Sequence, residues 1–277
     1  MQNRAYTGRT LALEIAMALL ALLFLSPFYF LFVNAVKTFG EIMTNSASWP
    51  TVFQWENFSR AWSLTRFPLV FSNSLIITVC SVILVGLISA MAAYRMVRYD
   101  SRFNRIFFLI LIASMVVPFQ SIMMPLLRVV NELGLTNTRS GLVMTYLGLG
   151  APMAVFLFHG FVKSIPLEIE EAATVDGCNR ISVFFRIVLP MLKPMLMTVI
   201  VLNCLWVWND YLLPSLILQS PGLRTIPLAT FSFFGEYSKQ WDLALPMLVL
   251  GILPIIIFFL FLQRYIVEGI AAGSVKG

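Results

Sequence analysis

Residues 163–194 read KSIPLEIEEAATVDGCNRISVFFRIVLPMLKP, a 32-residue stretch that carries its own helical signals between two apolar runs. Ser164 can cap a helix, Pro166 suits a first turn, and Glu168, Glu170 and Glu171 set negative charge at the positive end of the helix dipole. Gly177 fits the left-handed position that ends such a helix. Beyond it, Ile181, Phe184, Phe185 and Val188 recur at i, i+3, i+4 and i+7, which predicts a second amphipathic helix stopping before Pro190. The expected product is a helix-turn-helix elbow against a membrane face. Ala172 and Ala173 would let another backbone approach closely, and exposed carboxylates would offer sites to a partner's Arg or Lys.

The surroundings demand a membrane. Of 277 residues, 59% are hydrophobic and 12% charged, against about 25% charged in soluble domains, which excludes a water-soluble globule. Apolar runs predict spans over 11–36, 69–94, 106–130, 142–162, 195–218 and 243–265. Six helices leave no room for a sizeable soluble domain, so residues 1–277 read as a single transmembrane unit, an all-α integral membrane protein. The first run is too long for the apolar region of a signal peptide and reads as a retained helix. With six spans the termini share a side. That side carries 12 Lys and Arg, the 163–194 elbow included, and the other side 7. The bias places both termini and the elbow in the cytoplasm.

Trp49, Trp55, Trp62 and Trp241 then fall outside, and Trp55, Phe58 and Trp62 predict a short amphipathic surface helix, either a membrane-anchored connector or a docking surface. Asn57-Phe58-Ser59 fits a glycosylation acceptor. Cys80, Cys178 and Cys204 are too scattered for a disulfide framework or a zinc site. His159 has no partner at catalytic spacing and reads as a packing or interfacial residue, and Glu14 as interfacial. No G-x-x-x-x-G-K-[ST] loop occurs, so ATP phosphates are not cradled in that manner here. No catalytic constellation is found, and the chain reads as a transport subunit rather than an enzyme.

Polar groups inside a membrane are costly and therefore informative. On the fifth span, Asn203, Trp206 and Asp210 share a face at i, i+3 and i+7. An aromatic plate beside an amide and a carboxylate suits sugar, whose C–H face stacks while its hydroxyls hydrogen-bond. The same groups could instead satisfy neighbouring helices. A self-sufficient ion-coupled transporter is the alternative function, but it calls for buried midplane charges that are scarce here.

The spelling Glu171-Ala172-Ala173, three residues, Gly177, nine residues, then Ile187-Val188-Leu189-Pro190 resembles the EAA motif of permease subunits of binding-protein-dependent ABC importers. The resemblance implies the type I importer permease fold, and that the EAA segment is the coupling helix seated in an ATP-binding subunit. Glu171, Ala172, Ala173, Asp176, Gly177, Ile187, Leu189 and Pro190 take that role by position. Val117-Pro118-Phe119-Gln120, Met124-Pro125, the run Glu132 to Thr138, and Trp208-Asn209-Asp210-Tyr211-Leu212 are similar to features of the second, maltose-type permease of carbohydrate importers. The ending Gly273-Ser274-Val275-Lys276-Gly277 is similar to that permease's tail, which implies contact of Gly273, Val275, Lys276 and Gly277 with the ATP-binding subunits. The implied partners are a second permease, two ATP-binding subunits holding ATP and Mg, and an external solute-binding protein, in a bacterial inner membrane. No cofactor is expected on this chain and no metal site.

Overall fold

The computed structural model describes residues 8–235 and 239–274. Its helices are α1 (Gly8–Ala35), α2 (Phe39–Thr44), α3 (Glu56–Thr65), α4 (Phe67–Arg98), α5 (Arg102–Ser114), α6 (Phe119–Glu132), α7 (Arg139–Val162), α8 (Leu167–Val175), α9 (Arg180–Val183), α10 (Leu189–Met191), α11 (Lys193–Asn209), α12 (Leu212–Ile217), α13 (Ile226–Phe231) and α14 (Trp241–Ser274). Among the described residues, four helices are long and apolar enough to cross a membrane, or up to six if each of two bent pairs is one span. The described residues divide into two compact units, those within 8–67 and 230–252, and those within 68–229 and 253–274.

In the first unit, the 28 residues of α1 extend about 42 Å at 1.5 Å per residue. That is enough to cross a hydrocarbon core of about 30 Å. No residue of its apolar window is buried within the described chain, which suits a helix facing lipid. Just past its end, Lys37 is completely buried. Its Nζ donates to the carbonyls of Asn45 (3.0 Å) and Ser46 (3.3 Å) and to Ser48 Oγ (3.4 Å). Asn57 Nδ2 donates to the Lys37 carbonyl at 2.8 Å. Asn57 is therefore an internal clasp and not an accessible glycosylation acceptor. Thr38 and Glu41 close a capping box on α2. The surface helix expected around Trp55, Phe58 and Trp62 is present as α3, with Trp55 and Trp62 exposed and Ala61 buried. Arg66, at φ 51°, terminates it.

The second unit departs from the expected spans at two places. The run 106–130 is not one straight helix: α5 and α6 meet at 113°. Pro118 has no N–H and biases Val117 away from the α region. The chain answers with tight turns from Met115 to Ile112 and from Val116 to Ala113 before Pro118 starts α6. The run 195–218 is also interrupted. α11 ends at Asn209, Asp210 is extended, and α12 is a separate short helix. α4, by contrast, runs past the expected Tyr94 to Arg98, which places Arg95 and Arg98 in its last turn.

The segment from Glu132 to Thr138 is a built joint. Gly134 (φ 66°) and Asn137 (φ 56°) turn the chain in left-handed conformations. Thr138 Oγ1 caps α7 by accepting from Gly141 N at 3.0 Å. Asn137 Nδ2 donates to Ser220 Oγ (2.6 Å), while its Oδ1 accepts from the amides of Gln219 and Ser220. From α4, Asn73 Nδ2 donates to the carbonyls of Gly222 and Arg224, and Ser74 Oγ accepts from Ile226 N. One end of the unit is thus closed by amide side chains on backbone groups. Two apolar clusters fill it: one around Tyr146, Leu142 and Ile217, the other around Phe158, Val188, Leu192 and Ala173.

Candidate functional site: an elbow and a cavity

The elbow forms where expected, with different local devices. Pro166 precedes α8 with no side-chain cap, and the Ser164 hydroxyl donates to the Phe161 carbonyl at 2.7 Å. Ser164 belongs to the end of α7 and does not cap α8. The C-terminal end follows the sequence reading closely. Gly177 lies at φ 87°, Cys178 N donates to Ala173 O (3.0 Å) and Gly177 N to Thr174 O (3.1 Å). These are the two bonds of a Schellman motif. A Cβ on Gly177 would touch nothing within 4 Å, so the glycine is required for its torsion and not for space.

Asn179 then caps the second arm through Ser182 N (2.8 Å), a role the sequence reading overlooked. The expected apolar face of Ile181, Phe184, Phe185 and Val188 is split. Phe184 and Val188 are buried, whereas Ile181 is 71% and Phe185 46% exposed. Residues Phe184–Val188 form a π-turn, which rotates the following residues away from the 3.6-residue pattern. This arm also does not stop before Pro190. The wider π spacing lets the chain continue through Pro190 to Met191, and the break, a 75° bend into α11, comes at Leu192.

The motif residues separate by exposure. Glu171, Ala172 and Asp176 are exposed, as is Glu168, while Ala173 is buried in the cluster that also holds Val183 and Phe184. Ile187 and Leu189 pack against that cluster and Pro190 is exposed. Glu170 is the exception among the acids. Its side chain is 8% exposed and accepts from Tyr94 Oη (2.8 Å) and Arg98 Nε (2.8 Å), with Arg98 Nη2 at 2.6 Å. Arg98 Nη2 also donates to Ile165 O at 2.9 Å. Nothing in the local spacing identifies this pair, because its members lie 72 positions apart. Of the tail, Val275, Lys276 and Gly277 lie outside the described residues, and Gly273 is described only as helical backbone.

A cavity of about 610 Å³ opens among α5, α6, α7 and α11, lined by Met115, Phe119, Gly148, Met153, Trp206 and Asp210 among others. The bend at 115–118 and the break at 210 both border it, so the two interrupted spans are what open the space. Trp206 and Asp210 of the predicted face reach the lining; Asn203 does not. Asn203 is buried, its Nδ2 donates to Val199 O (2.9 Å), and a Cβ on Gly150 would lie 2.8 Å from its Oδ1. Glycine at 150 therefore lets this amide pack against α7. Asp210 Oδ2 accepts from Tyr146 Oη at 2.9 Å, while Oδ1 accepts from Leu212 N (2.9 Å) and Leu213 N (3.4 Å). Asp210 thus caps α12 and ties α11 to α7. Tyr146, fully buried with its ring edge-on to Trp206 at 5.4 Å, is a site residue that sequence reading missed. His159 stacks on Phe108 at 3.8 Å, as a packing residue.

The chain thus holds a cavity bordered by interrupted helices at one end of α11 and, at the other, an elbow whose first helix ends in a Schellman turn. The model of the family described as "binding-protein-dependent transport system inner membrane component" matches residues 82–271, and the chain belongs to that family. It is 44% identical over 259 residues, 93% of each chain, to a probable starch degradation products transport system permease protein of Thermoanaerobacterium thermosulfurigenes. It is 35% identical over 254 residues, 91% of each, to a melibiose/raffinose/stachyose import permease protein of Bacillus subtilis (strain 168). It is likewise 35% identical to a multiple sugar-binding transport system permease protein of Streptococcus mutans, covering 92% of this chain and 93% of that one. The fold is similar, with TM-score 0.79 and 20% identity, to a chain in the crystal structure of a bacterial ABC transporter involved in import of the acidic polysaccharide alginate, covering 95% of this chain and 100% of that one. The chain is a multi-pass permease subunit and not an enzyme, and the ion-coupled alternative is set aside.

Proposed function

We propose that this chain is one half of the translocation pathway of an ATP-driven carbohydrate importer, paired with a second permease, two ATP-binding subunits and an external solute-binding protein. The observation that carries the proposal is α8: a helix with a Schellman end presenting Glu171, Ala172 and Asp176 outward while Ala173 anchors it to the core. Small exposed residues admit a partner's backbone, and the carboxylates suit its Arg or Lys. Both termini and the elbow face the cytoplasm in this reading, following the excess of Lys and Arg on that side.

Sugar as cargo is supported by the names of the relatives and by the chemistry of the cavity, which both Trp206 and Asp210 line. Closure of the ATP-binding subunits, which would hold ATP and Mg, draws the elbow with it. The elbow is continuous through α10 with α11, so its displacement reaches Trp206 and Asp210 along one bent rod. Two states with different contacts at the elbow are needed for that coupling. The test is co-expression with the companion subunits and reconstitution with the binding protein. ATP-dependent sugar uptake, lost when Glu171 is replaced by Ala, is the expected result. Uptake by the isolated chain, or uptake untouched by Glu171→Ala, overturns the proposal.

A further inference from the structure

We propose that Glu170 and Arg98 form a strut joining α8 to the C-terminal turn of α4, so that displacement of the elbow is delivered to α4 directly and not only along the chain into α7 and α11. The inference rests on reading α8 as the coupling helix. Covalent continuity already links α8 to α7 through residues 163–166 and to α11 through α9 and α10. α4 has no such link, since Arg98 is 72 positions from Glu170.

The geometry is that of a fixed joint. Arg98 approaches Oε1 with both Nε (2.8 Å) and Nη2 (2.6 Å), and Nη2 also donates to Ile165 O (2.9 Å), so one guanidinium holds both α8 and the link that precedes it. Tyr94, one turn earlier on α4, takes the other carboxylate oxygen at 2.8 Å. Planar, forked donors of this kind set orientation as well as distance. Burial supplies the stiffness: the side chains are 14% and 8% exposed, whereas the neighbouring Arg105–Asp100 pair, at 69% and 75%, is open to water. Parting a buried pair leaves an uncompensated charge, so the joint holds or breaks and does not stretch. Among the four acids of the elbow, Glu168, Glu171 and Asp176 face outward, and Glu170 alone is turned to the core. The elbow thus carries two kinds of carboxylate, three available to a partner and one that fixes α8 to α4. Glu170 and Arg98 are positioning residues.

The experiment uses the assembled transporter with spin labels at Asp100→Cys and Val175→Cys, both exposed, in a background where Cys80, Cys178 and Cys204 are replaced by Ala. The strut requires the label separation to be the same in the nucleotide-free and ATP-trapped states; a separation that changes between them overturns it. The paired variant Arg98→Met/Glu170→Met removes the joint without stranding a charge, and Glu170→Ala strands one. In both, basal ATPase is expected to persist while stimulation by the loaded binding protein falls about tenfold, within the usual range of coupling between sites. Loss of stimulation in Glu171→Ala with full stimulation in Arg98→Met/Glu170→Met overturns the strut alone. Full stimulation in both overturns the coupling reading and the strut with it.

Discussion

Replacing Asp210 by Ala separates two roles that one carboxylate performs. On sequence grounds the variant should lose uptake and keep its assembly, because Asp210 is read as a pathway group. The structure requires more. Asp210 Oδ1 caps α12 through the amides of Leu212 and Leu213, and Oδ2 accepts the Tyr146 hydroxyl inside the protein. Loss of the cap costs about 0.5–2 kcal/mol, and a buried hydroxyl left without an acceptor costs about 1–3 kcal/mol. Together Asp210→Ala should destabilise the fold by about 1.5–5 kcal/mol, lowering the midpoint of thermal unfolding in detergent by on the order of 5–15 °C. Asp210→Asn keeps a single oxygen, which can go on accepting from the α12 amides, and turns a donor, Nδ2, toward the Tyr146 oxygen, so it should retain the cap and destabilise less than Asp210→Ala. Adding Tyr146→Phe to Asp210→Ala removes the orphaned hydroxyl and should recover part of the loss. A midpoint for Asp210→Ala indistinguishable from the native one refutes the capping argument. Uptake by Asp210→Asn at the native rate refutes a role for the charge in the pathway, independently of stability.

Three further outcomes follow from single contacts. Gly177→Ala must place a Cβ at φ 87°, at a local cost of about 1–2 kcal/mol. It should leave the rest of the fold intact while weakening co-purification of the ATP-binding subunit; undiminished co-purification contradicts the elbow's role. Gly141→Ala would set a Cβ 2.1 Å from the Leu135 carbonyl oxygen, forcing the α6–α7 joint open; a loss of about 1–3 kcal/mol in unfolding measurements is expected, and no loss contradicts the packing. Glu41, outside the spans, has its carboxyl held below the usual carboxylate range chiefly by the Thr51 hydroxyl and then by the Thr38 amide. A depressed pKa contributes stability that is present above the unfolded value, about 4.3, and lost as pH falls through the lower folded value. Proteolysis of the 38–55 loop should therefore rise in acid below that point, and Glu41→Gln should remove the pH dependence.

Much of this protein is legible locally. α1, α4, α7 and α14 coincide with apolar runs because a bilayer selects for composition over about 20 consecutive residues, whatever lies elsewhere in the chain. The turn at Gly177 was equally readable, since one torsion decides it. The two interruptions within apolar runs are not legible in hydropathy. Hydropathy is blind to direction, so a run that bends through 113° at Pro118 scores like a straight one. A proline such as Pro118 can kink, break or simply start a helix, and only its neighbours choose. The split face of Ile181, Phe184, Phe185 and Val188 has a similar origin: periodicity presumes 3.6 residues per turn, and a π-turn inserts an extra residue.

Composition and spelling by themselves determined the membrane, the number of apolar runs, the elbow and the family resemblance, because each is a property of contiguous residues. Tertiary structure alone decided which polar groups are spoken for. Glu170 and Glu171 are adjacent and chemically identical, yet one is locked to Arg98 and the other faces outward. Asn203 and Asp210 are spaced in sequence as if on one helical face, yet one packs on Gly150 and the other, beyond the helix end, borders a cavity while bonding Tyr146. A side chain's partner across 64 or 72 positions is set by how helices pack, and the packing is carried by apolar contacts that no single stretch of sequence specifies.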